Sequence, residues 1–382
     1  MTPLTRSRLV AFVLLVTPSI LLLRAAVISH AAAQRSAAAL PPPLPPPRRR
    51  PALTFTYEQG DVIGGFAVKV ALAMNRLGVA VTVRPHWQGA DYFWHTSYRP
   101  NQWTPHGLRR AQNVFYNPEN TRVDASHGET ILQTRLLEAD QLHSTRIFHV
   151  PWAWVAFEHR YHMPNASYLL RDRSNFDAAK VSKSKKRFCA FLASLCVYDH
   201  GYLQLYGSGI KGVKLERTGF YELLNSTYKP IDALGRCHHN REQPPIPAEL
   251  RAHYPEWSAH DSFIYMVRDY KFVMSFENMA TPGYFTEKLF NAYLGQAVPI
   301  YWGDPNVDAL VNTEAFIWCR KDRQGSWQTC INRIIELDND PVKYQHMLAQ
   351  PILKDNRVPD WMSFEVLSRK LLAAWGVEHA KG

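Results

Sequence analysis

The sequence contains little cysteine, and its first 50 positions contain no acidic residue. Five cysteines occur in 382 residues, and no two of them have the C-x-x-C spacing of a zinc ribbon. Residues 1–50 carry seven arginines, a charge of +7, so residues 51–382 hold only +4 of the total +11. The long C-terminal part therefore lacks the concentrated positive charge that is typical of a nucleic-acid-binding domain.

Internal repeats are not visible, so repeat architectures are disfavoured. The hydrophobic content of 46% excludes a disordered chain. The part of the chain after residue 50 is longer than one hydrophobic core usually serves. We therefore expect two domains.

The apolar N-terminal segment has three interpretations. Residues 9–23 read LVAFVLLVTPSILLL between Arg8 and Arg24, and the Ala- and Val-rich residues 25–33 can lengthen the run. Such a segment is an uncleaved signal anchor, a cleaved secretory signal or an Arg-rich transit peptide. Residues 41–50, PPPLPPPRRR, predict a stiff spacer, which a cleaved signal does not need. We favour the anchor, with the basic N-terminus in the cytosol.

Two further features fit a domain that matures in the lumen of the secretory pathway. Asn165 and Asn225 each begin an N-x-S/T glycosylation sequon. Cys319 and Cys330 are close enough in sequence to bridge a short loop, although buried thiols are the alternative and connectivity does not follow from sequence. The odd number of cysteines leaves at least one unpaired within the chain.

Apolar segments with strand and helix periodicity alternate along the rest of the chain. The strand candidates are residues 79–83, 113–116, 187–193, 230–234, 271–276, 297–302 and 315–318. The helix candidates are residues 66–77, 217–224, 262–268 and 284–294. This alternation predicts an α/β fold with parallel sheets, in which ligands bind at the carboxyl ends of the strands.

Residues 270–303 combine several polar side chains with such a strand end. The apolar strand runs directly into Glu277 and Asn278, and a Gly-containing turn follows. A helix is then predicted from residue 284, with Thr286 as a candidate N-cap. The free N–H groups at a helix start suit a diphosphate. Lys288 in the first turn is unfavourable for the helix dipole unless an anion binds there.

This block resembles the signature of the α1,3/α1,4-fucosyltransferase family, glycosyltransferase family 10. The resemblance rests on F-E-N, a short turn, Y-F-T-E-K, an apolar helix and A-V-P-I-Y-W-G. Further matching segments are RFCAFLAS at 187–194, RTGFYELLN at 217–225, IDALGRC at 231–237 and, more thinly, FYNPEN at 115–120. The chain departs from some members between Cys196 and Glu216, where about twenty residues are inserted.

The resemblance implies a GT-B fold of two Rossmann-like domains that transfers L-fucose from GDP-fucose with inversion. The implied acceptor is the 3-hydroxyl, or the 4-hydroxyl, of a GlcNAc residue in a glycan. The implied location is the Golgi membrane, as a single-pass type II protein, and no cofactor is required beyond the donor, with a divalent metal at most stimulatory. The expected segments are 1–33 tail and anchor, 34–51 stem, 52–175 acceptor-side domain, 176–360 GDP-fucose-binding domain and 361–382 C-terminal helix.

The family resemblance also implies roles for particular side chains. Glu119, from F-Y-x-x-E-N, is the expected base near the acceptor hydroxyl, because inversion in one displacement needs one base. Lys288 and Arg236 are the expected cations for the diphosphate. Donor contacts are expected from Asn278, Tyr284 and Glu287.

Three rival functions are considered, and sequence features bear on the first two. Asp338-Asn339-Asp340 has the D-x-D spelling of a metal-dependent transferase, but it follows a helical segment and we interpret it as a turn. A non-catalytic, membrane-tethered carbohydrate-binding protein would lack the base or the cations, which are present here. The third rival is a transferase for another nucleotide sugar on the same scaffold.

Replacing Glu119 with Gln should abolish transfer while GDP still binds, because the amide cannot accept the acceptor's proton. Turnover assays and nucleotide titration of the same preparation measure the two effects. Normal turnover in the variant would reject Glu119 as the base.

Overall fold

A computed structural model describes the protein over most of its length after residue 51. The described residues are 52–57, 63–84, 89–96, 112–117, 130–134, 146–160, 166–172, 174–197, 214–249 and 259–377. The predicted anchor and stem, Glu119 and Asn165 lie outside these ranges, as do residues 198–213 of the inserted segment. In the ranges that are described, no helix combines the length and apolar content needed to cross a bilayer.

The first sheet is parallel throughout the described residues, in the strand order β2-β1-β3-β4-β5-β6. Its strands are β1 (Ala52–Tyr57), β2 (Ala80–Val83), β3 (Tyr92–Thr96), β4 (Gln112–Asn117), β5 (Thr130–Gln133) and β6 (Ile147–His149). Helix α1 (Ile63–Arg76) buries Phe66, Val70 and Met74, whose spacing of four residues forms the apolar stripe that packs on the sheet. Helix α2 (Trp152–Arg160) begins directly after Pro151.

The second sheet is also parallel, in the order β11-β10-β9-β7-β8 among the described residues. Its strands are β7 (Arg187–Phe191), β8 (Asp232–Ala233), β9 (Tyr270–Phe276), β10 (Val298–Trp302) and β11 (Ile317–Trp318). The accompanying helices are α3 (Ala178–Ser184), α4 (Glu216–Thr227), α5 (Ala259–Met266), α6 (Lys288–Leu294), α7 (Gln328–Asn339) and α8 (Pro341–Ala349). The predicted α/β class with parallel sheets is confirmed.

The C-terminal helix α9 (Phe364–Trp375) returns the chain to the first sheet. The indole Nε1 of Trp375 donates to Thr130 Oγ1 at 2.9 Å, and Ser368 Oγ donates to the carbonyl of Val70 at 3.3 Å. A single buried apolar cluster contains Phe55 of the first sheet, Phe285 near the second sheet and Trp375. The two sheets therefore share a core, which holds the loops at their edges in a defined relation.

Four of the five cysteines form disulfides. Cys196 pairs with Cys237, and Cys319 pairs with Cys330. Cys189 is a buried free thiol, as the odd count requires. The Cys196–Cys237 bond joins the segments that follow β7 and β8, two neighbouring strands at the carboxyl edge of the second sheet.

The carboxylates of the D-x-D sequence are both used by the fold. The Asp338 side chain is 4% exposed and accepts hydrogen bonds from Lys229 at 2.5 Å, Lys271 at 2.5 Å and the Tyr228 hydroxyl at 2.8 Å. Burial acts to raise the pKa of Asp338, but these donors outweigh it and lower the pKa below its usual value. Asp340 caps α8 by accepting from two backbone N–H groups. The predicted turn is limited to Asp340, because Asp338 and Asn339 are the last two residues of α7.

Replacing Asp338 with Asn should lower the free energy of unfolding by about 2 kcal/mol at pH 7, because the two lysines lose a buried charged partner. A lowered carboxyl pKa stabilises the protein above the unfolded pKa, and this contribution is lost as the pH falls through the folded pKa. The variant should therefore lose part of the stability difference between pH 7 and pH 3, measured by denaturant unfolding. Asp340→Asn is the matched control, since Asn also caps helices. Equal stability of the two variants would contradict this account.

Candidate functional site

Glu277 lies buried at the carboxyl end of the central strand β9. Glu277 is 0% exposed, and its backbone N–H donates at 2.8 Å to the carbonyl of Trp302, at the end of β10. Gly303 packs against it so closely that a Cβ there would lie 2.4 Å from the Glu277 Cγ. The site therefore has a buried carboxylate whose position is defined by two adjacent strand ends.

The segment after the Gly-containing turn folds onto this carboxylate. The Thr286 N–H donates to Glu277 Oε1 at 2.8 Å, and the Thr286 hydroxyl donates to Oε2 at 2.7 Å. Lys288 Nζ donates to Glu277 Oε2 and to Thr286 Oγ1, both at 2.9 Å. The predicted helix start at residue 284 with Thr286 as N-cap is wrong, since α6 begins at Lys288. Both polar groups of Thr286 are bound to Glu277, so they do not cap the helix.

The ion pair keeps Lys288 charged at the start of α6. Burial acts to lower the pKa of Lys288, but the carboxylates of Glu277 and Glu287 outweigh it and raise the pKa. These carboxylates also compensate the unfavourable interaction between the Lys288 ammonium and the positive end of the helix dipole. An ammonium group has three N–H donors, and Glu277 and Thr286 take two of them in the described structure. The third can bind a ligand.

Arg217 is a second buried cation near Lys288. It lies in the first turn of α4, is 9% exposed, and donates from Nη1 to Asn278 Oδ1 at 2.5 Å and from Nη2 to the carbonyl of Leu195 at 3.1 Å. Leu195 precedes Cys196, which the disulfide ties to Cys237. The guanidinium is therefore held in one orientation by groups from two strand ends.

Lys288 and Arg217 line one pocket of about 220 Å³, here called the Lys288 pocket. The residues that line it are Phe191, Leu192, Arg217, Phe263, Met274, Phe276, Glu287, Lys288 and Asn291. Two cations at a largely apolar and aromatic cavity suit a ligand with an anionic group and a flat ring. The half-buried carboxylate of Glu287 adds an acceptor for hydroxyl groups.

The structure brings some of the predicted site residues together. Lys288 and Glu287 line the Lys288 pocket, and Asn278 contacts Arg217. Tyr284 is 3% exposed in the segment that precedes them. Arg236 is exposed after β8 and is not among the residues that line this pocket, so its contact with a diphosphate stays a prediction.

Arg217 is the site residue that sequence reasoning missed. It is the first residue of RTGFYELLN, one of the segments that carry the family resemblance, so its position was noted but its role was not.

Asn225 ends the same segment, and its Oδ1 accepts the N–H of Ile231 at 2.8 Å. Glycosylation of Asn225 stays a prediction.

The family model for "Glycosyltransferase family 10 (fucosyltransferase) C-term" matches residues 182–349, which contain both cations. Residues 182–349 therefore resemble the C-terminal domain of glycosyltransferase family 10. The match includes β7 to α8, so the family 10 domain contains the whole Lys288 pocket.

Several curated proteins are similar to this chain over part of its length. A protein of Acanthamoeba polyphaga mimivirus with a fucosyltransferase name is 28% identical over 187 residues, which is 49% of this chain and 27% of the relative. GDP-fucose protein O-fucosyltransferase 3 of Xenopus laevis is 35% identical over 21% of this chain and 16% of the relative. Alpha-(1,3)-fucosyltransferase B of Drosophila melanogaster is 33% identical over 20% of this chain and 17% of the relative. The matches thus span less than a third of these relatives.

The fold is similar to that of a solved alpha1,3-fucosyltransferase over most of both chains. The TM-score is 0.56 at 18% identity, with 85% of this chain and 90% of the other chain covered. The crystal structure of alpha1,3-fucosyltransferase with GDP-fucose aligns with a TM-score of 0.54 over 89% of this chain and 94% of the other. At this identity the likeness establishes the fold shared by the two chains.

Replacing Gly303 with Ala should displace Glu277, because the new Cβ would lie 2.4 Å from its Cγ and 2.8 Å from the Tyr301 hydroxyl. We expect a loss of about 2 kcal/mol in the free energy of unfolding and weaker nucleotide binding, since Lys288 loses its partner. Gly219→Ala is the control, as nothing lies within 4 Å of the added Cβ in that helix. Denaturant unfolding and calorimetric titration measure both properties. Wild-type behaviour of Gly303→Ala would show that Glu277 is not held by this contact.

Proposed function

We propose that this chain is an inverting fucosyltransferase that moves L-fucose from GDP-fucose to a hydroxyl group of a glycan. The observation that carries the proposal is the pair of oriented cations, Lys288 and Arg217, in one pocket of a family 10 domain. The similar proteins named as fucosyltransferases support the choice of sugar nucleotide.

The two cations suit the leaving group of this reaction. When the bond to the sugar breaks, negative charge develops on the nucleoside diphosphate and must be met by fixed donors. Lys288 is charged and has one N–H beyond its bonds to Glu277 and Thr286, and the Arg217 guanidinium is oriented by Asn278 and Leu195. We propose Arg217 as the second cation of the diphosphate site. Because both groups are held in place before the ligand arrives, little reorganisation is needed at the moment of reaction.

Carboxylates complete the proposed chemistry. Glu287 lines the same pocket and can accept hydrogen bonds from the sugar hydroxyls of the donor. Its negative charge also stabilises the positive, oxocarbenium-like charge that the sugar carries in the transition state. Inversion in one step requires a base on the acceptor side and no protein nucleophile, and Glu119 is the base proposed from sequence.

Side-chain cations replace a divalent ion in this mechanism. The D-x-D carboxylates bind lysines, a tyrosine and a helix start, so they are committed elsewhere. Transfer should therefore persist in the presence of a chelator, with a divalent metal at most stimulatory.

The acceptor is proposed as the 3-hydroxyl, or the 4-hydroxyl, of a GlcNAc residue. The resemblance to α1,3/α1,4-fucosyltransferases and the Drosophila melanogaster relative support this choice. The relatives named protein O-fucosyltransferase 3 favour a second candidate, a hydroxyl group of a protein. Assays with a lactosaminide and with a folded protein acceptor distinguish the two.

We place the proposed enzyme in the Golgi membrane with its catalytic part in the lumen. The apolar residues 9–23 with their proline-rich spacer support an anchor, and two disulfides are typical of proteins from oxidising compartments. Recovery of the full chain from cells in the soluble cytosolic fraction would contradict this location.

Incubating the protein with a panel of radiolabelled nucleotide sugars and mixed glycan acceptors tests the function. Transfer from GDP-fucose alone, with and without a chelator, is expected. Lys288→Ala and Arg217→Ala should each lower kcat by about 10²–10³-fold, the usual effect of removing one preorganised donor to a developing charge. Lys343→Ala, which removes an exposed lysine whose partners are Glu336 and Asp340, is the control.

Three outcomes of this assay would contradict parts of the proposal. Transfer from another nucleotide sugar would replace the donor, and binding without transfer to any acceptor would favour the carbohydrate-binding alternative. Full activity of Lys288→Ala would remove the cation pair from the mechanism.

A further inference from the structure

The segment of residues 281–286, here called the site loop, leads into the Lys288 pocket. Its last residue, Thr286, binds the buried Glu277, and Glu287 and Lys288 follow directly. The Tyr284 N–H donates to the carbonyl of Thr281 at 3.0 Å, which closes a turn around Gly283. A shift of this loop would therefore move the two charged residues at the pocket.

His149, the last residue of β6 in the first sheet, reaches this loop from the other half of the molecule. Its Nε2 lies 3.1 Å from the carbonyl of Gly283 and 3.2 Å from the carbonyl of Thr134. Both neighbours are acceptors, so Nε2 carries the proton and donates to them. Burial lowers the pKa of His149, although the two carbonyls act to raise it. The lowered pKa favours the neutral ring.

Gly283 is held on its other side by Asp304, which follows β10. The Gly283 N–H donates to the Asp304 carboxylate, and Asp304 is 1% exposed. The φ angle of Gly283 is +78°, in the left-handed region that favours glycine. One residue of the turn is thus bound through its N–H to the second sheet and through its carbonyl to the first.

A second tie to the first half follows two residues later. The N–H of Ala153, in the first turn of α2, donates to the carbonyl of Phe285 at 3.1 Å. Backbone groups on both sides of Tyr284 are therefore bound by residues 149–153. These contacts are local to the site loop, whereas the hydrogen bond from Trp375 to Thr130 joins α9 to the first sheet elsewhere.

We infer that His149 is a positioning residue, which holds the site loop against the first sheet and thereby places Glu287 and Lys288 for the donor nucleotide. This inference rests on the proposed function for its ligand. His149 acts through the Gly283 carbonyl. The Lys288 pocket therefore takes its binding geometry only when the site loop is bound to the first sheet.

The test compares two substitutions at this position in the full chain. His149→Leu removes the donor and leaves the Gly283 carbonyl buried without it, which should weaken GDP binding about tenfold and raise the KM for GDP-fucose, with the KM for the acceptor unchanged. His149→Gln keeps an N–H donor at a similar reach and should restore binding to about the wild-type value. Titration calorimetry with GDP and steady-state kinetics measure these effects.

Thr130→Val is the matched control for stability. It removes the acceptor of the buried Trp375 N–H, a contact between α9 and the first sheet that does not touch the site loop. We expect it to lower Tm without changing the affinity for GDP. If His149→Leu behaves in the same way, with lower Tm and unchanged affinity well below Tm, His149 has only a structural role and the inference is overturned.

Amide hydrogen exchange separates this inference from the proposed function. Exchange of residues 284–288, measured without nucleotide, should be faster in His149→Leu than in the wild type and His149→Gln, since a local tie is lost. Equal exchange in all three proteins would overturn the role of His149. If the wild-type protein binds no GDP-fucose but exchange is still faster in His149→Leu, the proposed donor is rejected. The contact between His149 and the site loop is then supported.

Discussion

The buried carboxylate of Glu277 is the interaction on which the candidate site depends. A charge in such a place is costly unless donors surround it, and here Thr286 and Lys288 supply them. The same bonds determine where the chain after the Gly283 turn must lie and where α6 begins. Gly303 is part of this arrangement, because the space beside Glu277 admits no side chain. One buried carboxylate thus places the cation of the proposed diphosphate site.

The second cation depends on a different part of the same sheet edge. Arg217 belongs to α4, but the groups that orient it, Asn278 and Leu195, follow β9 and β7. Parallel strands end at one edge, so residues far apart in sequence become neighbours there. The first sheet contributes from outside through His149, which binds the loop leading to Lys288. The geometry of the pocket therefore depends on α4, on the strand ends of the second sheet and on the first sheet.

Much of the fold followed from periodicity, and the errors have physical reasons. The strand predictions for residues 271–276 and 297–302 match β9 and β10 closely, because buried parallel strands are continuous apolar runs. The helix predicted from residue 284 begins four residues later, since a bond to a distant carboxylate competes with capping and no local pattern records it. Arg217 escaped notice because an arginine in the first turn of a helix has no distinctive spacing.

The chain's own residues determined the α/β class, the strands β9 and β10, the unpaired cysteine and the family 10 signature around Lys288. These follow from local periodicity, from an odd count and from a contiguous block of residues. Tertiary structure alone decided that Arg217 joins Lys288 in one pocket, that Asp338 and Asp340 support the fold, and that His149 reaches Gly283. The reason is that hydrogen bonds between strand ends depend on which segments are adjacent in space, and sequence separation carries no record of that distance.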